Sequence, residues 1–165
     1  MRTTIEYRDG IQERKRDLVS RSDSEKSYTR KEVLTRFSEG PQSGVFTDGS
    51  ARPNPGPGGW GLVFVMNGEI RKELHGYEES TTNNRMELTA LIQAYKNLGG
   101  NANIDIYSDS ELCVNTINIW AAGWEKRGWK RKGGPIKNLE LVQELYALQQ
   151  ERPNVRLNWI KAHNG

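Results

Sequence analysis

The sequence predicts an α/β domain built on a sheet of mixed strand direction. Three observations carry this. Residues 44–77 read as three strands in succession, and Asn67-Gly68, the strongest hairpin signal in the chain, joins the second to the third. Residues 81–161 then follow the order helix, strand, helix, helix, strand, with the apolar period switching between the two. Antiparallel neighbours first and crossovers afterwards give both kinds of pairing in one sheet.

Residues 1–43 differ from the rest. Ten basic and eight acidic side chains nearly cancel there, among scattered apolar residues. Thr29-Arg-Lys-Glu32 has the form of a capping box, Val33, Leu34 and Phe37 offer one short apolar face, and Gly40-Pro41 would stop such a helix. The stretch is too polar to bury a core of its own, so an extension ordered only in part is expected, with the folded domain spanning 44–165.

The first strand is expected at 44–47, ending on Asp48 at the mouth of a Gly/Pro loop, and the second at 60–66. The third covers 70–77. Thr81-Thr-Asn-Asn84 then opens a helix in which Leu88, Leu91, Ile92, Tyr95 and Leu98 fall on one face, and Gly99-Gly100 ends it. A fourth strand is expected at 102–108, with Ile104 and Ile106 on one side. Asp109 or Ser110 caps the next helix, whose inward residues would be Leu112, Val114, Ile117 and Trp120. A basic, tryptophan-interleaved segment, 123–134, separates it from a helix at 135–150 with Leu139, Val142, Leu145 and Leu148 inward. Residues 155–161 alternate as a fifth strand.

Length supports one domain plus an extension. No apolar run approaches the roughly eighteen residues of a membrane span, and Met1-Arg-Thr-Thr-Ile has no signal-like apolar region, so a cytoplasmic protein without membrane attachment is expected. Cys113 is the only cysteine, which removes a disulfide framework and a Cys/His zinc cluster. Charge is uneven. Residues 44–114 carry five Lys/Arg against nine Asp/Glu, whereas 115–137 carry six against one. Metal held at one place and a polyanion at another would account for this, as would a solvated basic loop.

Asp48, Glu87 and Asp109 are the acids of interest. Each has a plain alternative: a turn at Asp48-Gly49, a capping box Asn84-Arg-Met-Glu87, an N-cap at Asp109. Together they fit one site. If the first and fourth strands are parallel neighbours, both aspartates meet at the strands' carboxyl ends, where open α/β sheets place ligands. Convergent carboxylates repel one another without a cation, and all-oxygen ligands suit Mg²⁺ or Mn²⁺.

Several segments match one family in order: Phe46-Thr-Asp-Gly-Ser50, Asn54-Pro-Gly-Pro-Gly-Gly59, Thr81-Thr-Asn-Asn-Arg-Met-Glu-Leu88, Ser108-Asp-Ser110, Trp124-Glu-Lys-Arg-Gly-Trp-Lys130, Pro135-Ile-Lys-Asn138 and Trp159-Ile-Lys-Ala-His163. Over residues 44–165 the chain resembles the bacterial-type ribonuclease H family, type 1. The resemblance implies a mixed five-stranded sheet with flanking helices. It implies cleavage of the RNA strand of RNA–DNA hybrids with two Mg²⁺ (or Mn²⁺) ions, leaving 3′-hydroxyl and 5′-phosphate ends. Asp48 would bridge the ions, Glu87 and Asp109 would flank them, and His163 matches a histidine that relays a proton or aids product release. Asn54, Asn83 and Asn84 match minor-groove contacts. Thr82 and Asn138 match a pocket for a DNA-strand phosphate. Trp120, Trp124, Lys126, Arg127, Trp129 and Lys130 match a basic protrusion on the DNA strand, with Trp120 and Trp129 equally readable as core.

The departures are few. The family's fourth metal-site aspartate lies in a last helix beyond the loop that holds His163, and the sequence stops in that loop, so a truncated domain with its last helix missing is the expectation. A monomer is expected, with association open through the face that helix would cover. Glu111 stands where glutamine is common, and residues 1–43 do not match the hybrid-binding domain of some eukaryotic relatives. Two rivals remain. One is a hybrid- or double-stranded-RNA-binding module with weak or no cleavage, against which the intact Asp48, Glu87 and Asp109 speak. The other is an integrase-like strand-transfer enzyme, against which the Asn-Asn-Arg-Met-Glu motif and basic tryptophan segment speak.

Overall fold

The computed structural model of the protein describes residues 43–161. The N-terminal extension with its expected helix, and His163, lie outside the described residues. The elements are β1 (Gly44–Ala51), β2 (Gly56–Met66), β3 (Glu69–Thr81), α1 (Asn83–Lys96), β4 (Ile104–Ser108), α2 (Glu111–Asn115), a π-helical turn (Thr116–Trp120), α3 (Ala121–Lys126), α4 (Leu139–Gln150) and β5 (Val155–Trp159). The sheet order is β3-β2-β1-β4-β5. The first three strands pair antiparallel, and β4 joins β1 and β5 in parallel. This is the mixed five-stranded sheet with flanking helices that the sequence leads one to expect.

The hairpin between β2 and β3 forms at Asn67-Gly68, both with positive φ (52° and 80°), as a tight mirror-image turn requires. Helix α1 buries Leu88, Leu91, Ile92 and Tyr95 as their spacing predicts, against Val45, Leu62 and Ile106 of the sheet and Val142 and Leu145 of α4. A smaller apolar cluster of Phe46, Val63 and Val65, with Tyr107 stacked on Phe46, uses the alternate residues of the strands.

Three expectations are corrected. First, the glycine-rich stretch read as a loop is largely strand. Gly49, Ser50 and Ala51 pair with Trp60, Gly59 and Gly58, which leaves a connection of four residues, tied by the Arg52 amide donating to the Pro57 carbonyl (2.8 Å). Glycine disfavours strands locally, but here β2 is hydrogen-bonded on both sides and the pairing overrides preference. Asp48 therefore sits inside β1, not at its end. Second, the helix after β4 is interrupted by the π-helical turn, where the Thr116 hydroxyl donates to the Leu112 carbonyl (2.8 Å). The shift of phase turns Trp120 (43%) outward; Leu112 (51%), ahead of the turn, is exposed as well, and Cys113, Val114, Ile117 and Ala121 fill the core instead. Third, the helix expected from 135 starts at Leu139, because Asn138 is left-handed (φ 58°) and cannot continue a right-handed helix. Among the described residues no helix is long and apolar enough to cross a membrane.

The parallel edge carries a polar clasp. Arg156 donates to both carboxylate oxygens of Asp105 (2.8 and 3.2 Å), and the Asn158 amide adds a third bond (3.1 Å). The Arg156 hydrogen bonds hold the Asp105 carboxyl below its ordinary value, with partial burial opposing them and the Asn158 bond helping. A carboxylate depressed in the folded state contributes stability above its unfolded pKa of about 3.9 and loses it as pH falls through the folded value. Thermal unfolding scanned from pH 7 to pH 2 should therefore show a shallower acid-side decline for Asp105→Asn than for the unaltered protein. An identical decline would show that the clasp contributes nothing.

Candidate active site

The three acids are delivered by different elements. Residues Val45 and Phe46 of β1 pair with Ile106 and Tyr107 of β4. Carrying that register two residues further brings Asp48 level with Asp109, which follows the last residue of β4. The Thr47 hydroxyl donating to the Tyr107 carbonyl (3.2 Å) ties the strands just below. Asp109 is not an N-cap: Ser110 is, its hydroxyl oxygen accepting from the Cys113 amide (3.2 Å). Glu87 is not part of a capping box either. The N-cap of α1 is Thr82, whose hydroxyl oxygen accepts from the Arg85 amide (3.1 Å), so Glu87 falls in the second turn. Asp48-Gly49 is not a turn but paired strand. All three plain alternatives are thereby excluded.

Glu87 reaches the aspartates because α1 lies unusually close to β1 at Gly49. A Cβ on Gly49 would come within 2.7 Å of the Glu87 amide nitrogen, so only glycine permits the approach. The result is that one oxygen from each of Asp48, Glu87 and Asp109 lies within 4.8 Å of the others, all three side chains being half-buried. Three carboxylates so close strongly favour a bound cation over mutual repulsion. An all-oxygen, all-anionic donor set fits a hard divalent ion of the Mg²⁺ type and not a thiophilic metal. Cys113 lies nearby but takes no part. Burial pushes its thiol up to about 12, with the Glu87 charge adding to this and the Ser110 hydrogen bond opposing it, so it stays protonated at neutral pH.

The first turns of α1 form a ridge between two grooves. One, about 410 Å³, is lined by Gly49, Ser50, Asn54, Asn83, Glu87 and the segment between them. The other, about 490 Å³, is bounded by Asn84 and Leu88, by Trp120 and Trp124, and by Arg131, Lys132, Lys137 and Asn138. Trp120 thus stands on the groove, and Trp124 both lines it and packs on the core. Trp129 is a packing residue, set edge-on to Tyr146. Lys126, Arg127 and Lys130 are exposed.

Three of the four groove asparagines share one polarity. Asn54 accepts from the Asn83 backbone amide (3.0 Å), Asn83 accepts from the Ala51 amide (2.7 Å), and Asn138 accepts from the Arg85 guanidinium (3.2 Å). With their oxygens committed to the protein, each offers its NH₂ group as the remaining donor. Thr82 likewise accepts internally and keeps its hydroxyl proton. Both grooves therefore present hydrogen-bond donors. Arg85, Arg131, Lys132 and Lys137 were not singled out from sequence. Arg131 and Lys132 belong to the basic segment 123–134 that was, and Lys137 to the Pro135–Asn138 motif; Arg85 carries no local signal beyond lying inside its own motif.

A family model described as RNase H matches residues 41–165. The ribonuclease H of Agrobacterium fabrum is 50% identical over 122 residues, which span 73% of this chain and 82% of that protein. That of Pseudomonas fluorescens is 45% identical over 122 residues, with 73% and 80% covered. Among solved structures, LC11-RNase H1 in complex with an RNA/DNA hybrid aligns with a TM-score of 0.55 and 30% identity over 71% of this chain and 83% of that one. LC9-RNase H1, a type 1 RNase H with the type 2 active-site motif, aligns with a TM-score of 0.59 and 31% identity over 76% and 66%.

Proposed function

Because the chain belongs to the ribonuclease H family, whose members are endoribonucleases, we propose that residues 44–165 hydrolyse the RNA strand of RNA–DNA hybrids, leaving 3′-hydroxyl and 5′-phosphate ends. The observation that carries this is the convergence of Asp48, Glu87 and Asp109 beside a groove lined by amide donors. Asp48, Glu87 and Asp109 would hold two Mg²⁺ ions. Bound there, the cations supply an activated water and stabilise charge on the leaving oxygen.

The remaining roles belong to the chain itself. Asn54 and Asn83 present donors in the groove that contains Glu87, where they can engage ribose 2′-hydroxyls and base edges across a shallow minor groove, the feature that separates RNA from DNA. Asn84 extends this contact over the ridge. Thr82 and Asn138 offer donors to a phosphate of the opposite strand. Trp120, Trp124, Lys126, Arg127 and Lys130 hold that strand's sugars and backbone by stacking and charge. Trp129 supports the segment from within. His163 would move a proton or release product. The free, buried Cys113 fits action in a reducing cytoplasm.

Metal binding to the folded state should appear directly in stability. At Mg²⁺ concentrations about a hundredfold above the dissociation constant, mass action adds about 2.7 kcal/mol to folding. Thermal unfolding in MgCl₂ against NaCl of equal ionic strength should thus show a higher Tm for the unaltered protein and a much smaller rise for Asp48→Asn. Equal shifts for both would mean that the acids do not form the ion site.

A further inference from the structure

Asn138 sits at a junction. Its left-handed backbone ends the basic segment and begins α4, and its side chain lines the larger groove beside Lys137 and Asn84. An asparagine amide has two unlike ends, one accepting and one donating, and its orientation is set by its partners. A phosphodiester oxygen only accepts, so an Asn138 turned with its carbonyl outward would repel the strand it is meant to hold. The Arg85 Nη1 bonds the Asn138 oxygen (3.2 Å), and a guanidinium has donors only, so it can bind only that end. Arg85 is itself anchored. Its Nη2 donates to Glu140 (2.6 Å) in the first turn of α4, and its backbone amide bonds the Thr82 hydroxyl oxygen (3.1 Å). The side chain therefore reaches Asn138 across 53 positions, whereas the Thr82 bond is the backbone N-cap contact that any residue at 85 would make.

We infer that Arg85 is a positioning residue for hybrid binding: by occupying the Asn138 carbonyl oxygen its guanidinium fixes the Asn138 NH₂ group as a donor to a backbone phosphate of the strand in the larger groove. The inference rests on the proposed hybrid-binding reading and deepens it. Arg85 does not touch the reacting phosphate; it acts through Asn138. Glu140 steadies Arg85 from the exposed side and is dispensable to the polarity itself.

The test is steady-state cleavage of an RNA–DNA hybrid in Mg²⁺ by the full chain and by Arg85→Met, Asn138→Gly, the double variant and Glu140→Gln, each repeated over a salt series. Glycine is chosen at 138 because it accepts the left-handed backbone. Losing a hydrogen bond to a charged phosphate should raise KM about tenfold in Arg85→Met and in Asn138→Gly, with kcat held within about twofold. The double variant should be no worse than Asn138→Gly alone, and the salt dependence of KM should stay unchanged in each, because the donor lost to the phosphate is a neutral amide. Glu140→Gln should keep KM within about twofold. A purely structural Arg85 would lower Tm and the active fraction, leaving KM unchanged, and that result would overturn the inference, as would additive effects in the double variant or a flattened salt slope in Arg85→Met, which would mean a direct contact of Arg85 with the phosphate. If Arg85→Met does not fold, Arg85→Lys decides. It keeps a donor towards Asn138 and should hold KM within about threefold of the unaltered value, and a tenfold rise would count against the proposal. Hybrid cleavage with KM indifferent to Arg85 would sink this inference alone, whereas absence of any hybrid binding by the unaltered protein would sink the proposed function with it.

Discussion

Asp48→Asn should lower hybrid cleavage by about a thousandfold or more while leaving hybrid affinity within about threefold, because charge stabilisation by metal is worth several kcal/mol in the transition state. The substitution keeps shape and removes one negative charge. Asp48 sits on the central strand, hydrogen-bonded in register with β2, so the backbone that carries it does not depend on the side chain. The affinity for hybrid comes from elsewhere, from the amide donors on both grooves and the basic segment at 126–137. In metal-free buffer the variant should fold at least as well as the unaltered protein, since one of three crowded like charges is gone. Single-turnover cleavage and fluorescence anisotropy with the same labelled hybrid separate the two quantities. Residual cleavage within tenfold of normal would mean that the acidic cluster is not the catalytic centre.

Gly49→Ala should be costly in a different way. The added Cβ would lie 2.5 Å from the Met86 carbonyl oxygen and 2.7 Å from the Glu87 nitrogen, both backbone atoms that cannot rotate aside. Helix α1 must lift off β1 or the strand must bend, at about 1–3 kcal/mol, which lowers Tm by about 5–10 °C. The movement displaces Glu87 from the two aspartates, and misplacement by about 1 Å costs about a hundredfold in rate. A smaller Mg²⁺-induced rise in Tm should accompany the loss. Gly99→Ala is the matched control, since a Cβ there meets nothing within 4 Å. Normal Tm and normal cleavage in Gly49→Ala would show that the α1–β1 approach does not set the Glu87 position.

The residues that hold the candidate ion site were legible in the sequence because each is flagged locally, by a strand-like run before Asp48 and Asp109 and by a dense motif around Glu87. The parallel neighbourhood of the first and fourth strands stands in the sequence reading only as a condition, and it is the condition the structure meets. What escaped was whatever depends on distant partners. Gly56 to Gly59 carry no strand preference, and only pairing with β1 and β3 makes them strand. The π-helical turn at Thr116–Trp120 leaves an apolar pattern that reads as one continuous helix, so Trp120 reads as inward when the phase shift turns it out; Leu112, ahead of that turn, is exposed because Cys113 and Val114 take the core side. The plain alternatives for Glu87 and Asp109 failed because the hydroxyls of Thr82 and Ser110 took the caps, a competition between neighbours of similar propensity. The donor polarity of the grooves was least accessible of all. Nothing in the local sequence says that the oxygens of Asn54, Asn83 and Asn138 are spent on the protein, since their partners lie 29, 32 and 53 residues away.

The most direct test is to present the protein, with Mg²⁺, with four duplexes of one sequence: an RNA–DNA hybrid labelled on the RNA strand, the same hybrid labelled on the DNA strand, double-stranded RNA and double-stranded DNA. The site described here predicts internal cuts in the RNA strand of the hybrid alone, with 3′-hydroxyl and 5′-phosphate ends, and no cutting after chelation of the metal. Cutting of the DNA strand or of double-stranded DNA, or tight binding of the hybrid by folded, Mg²⁺-loaded protein without cleavage, would contradict it.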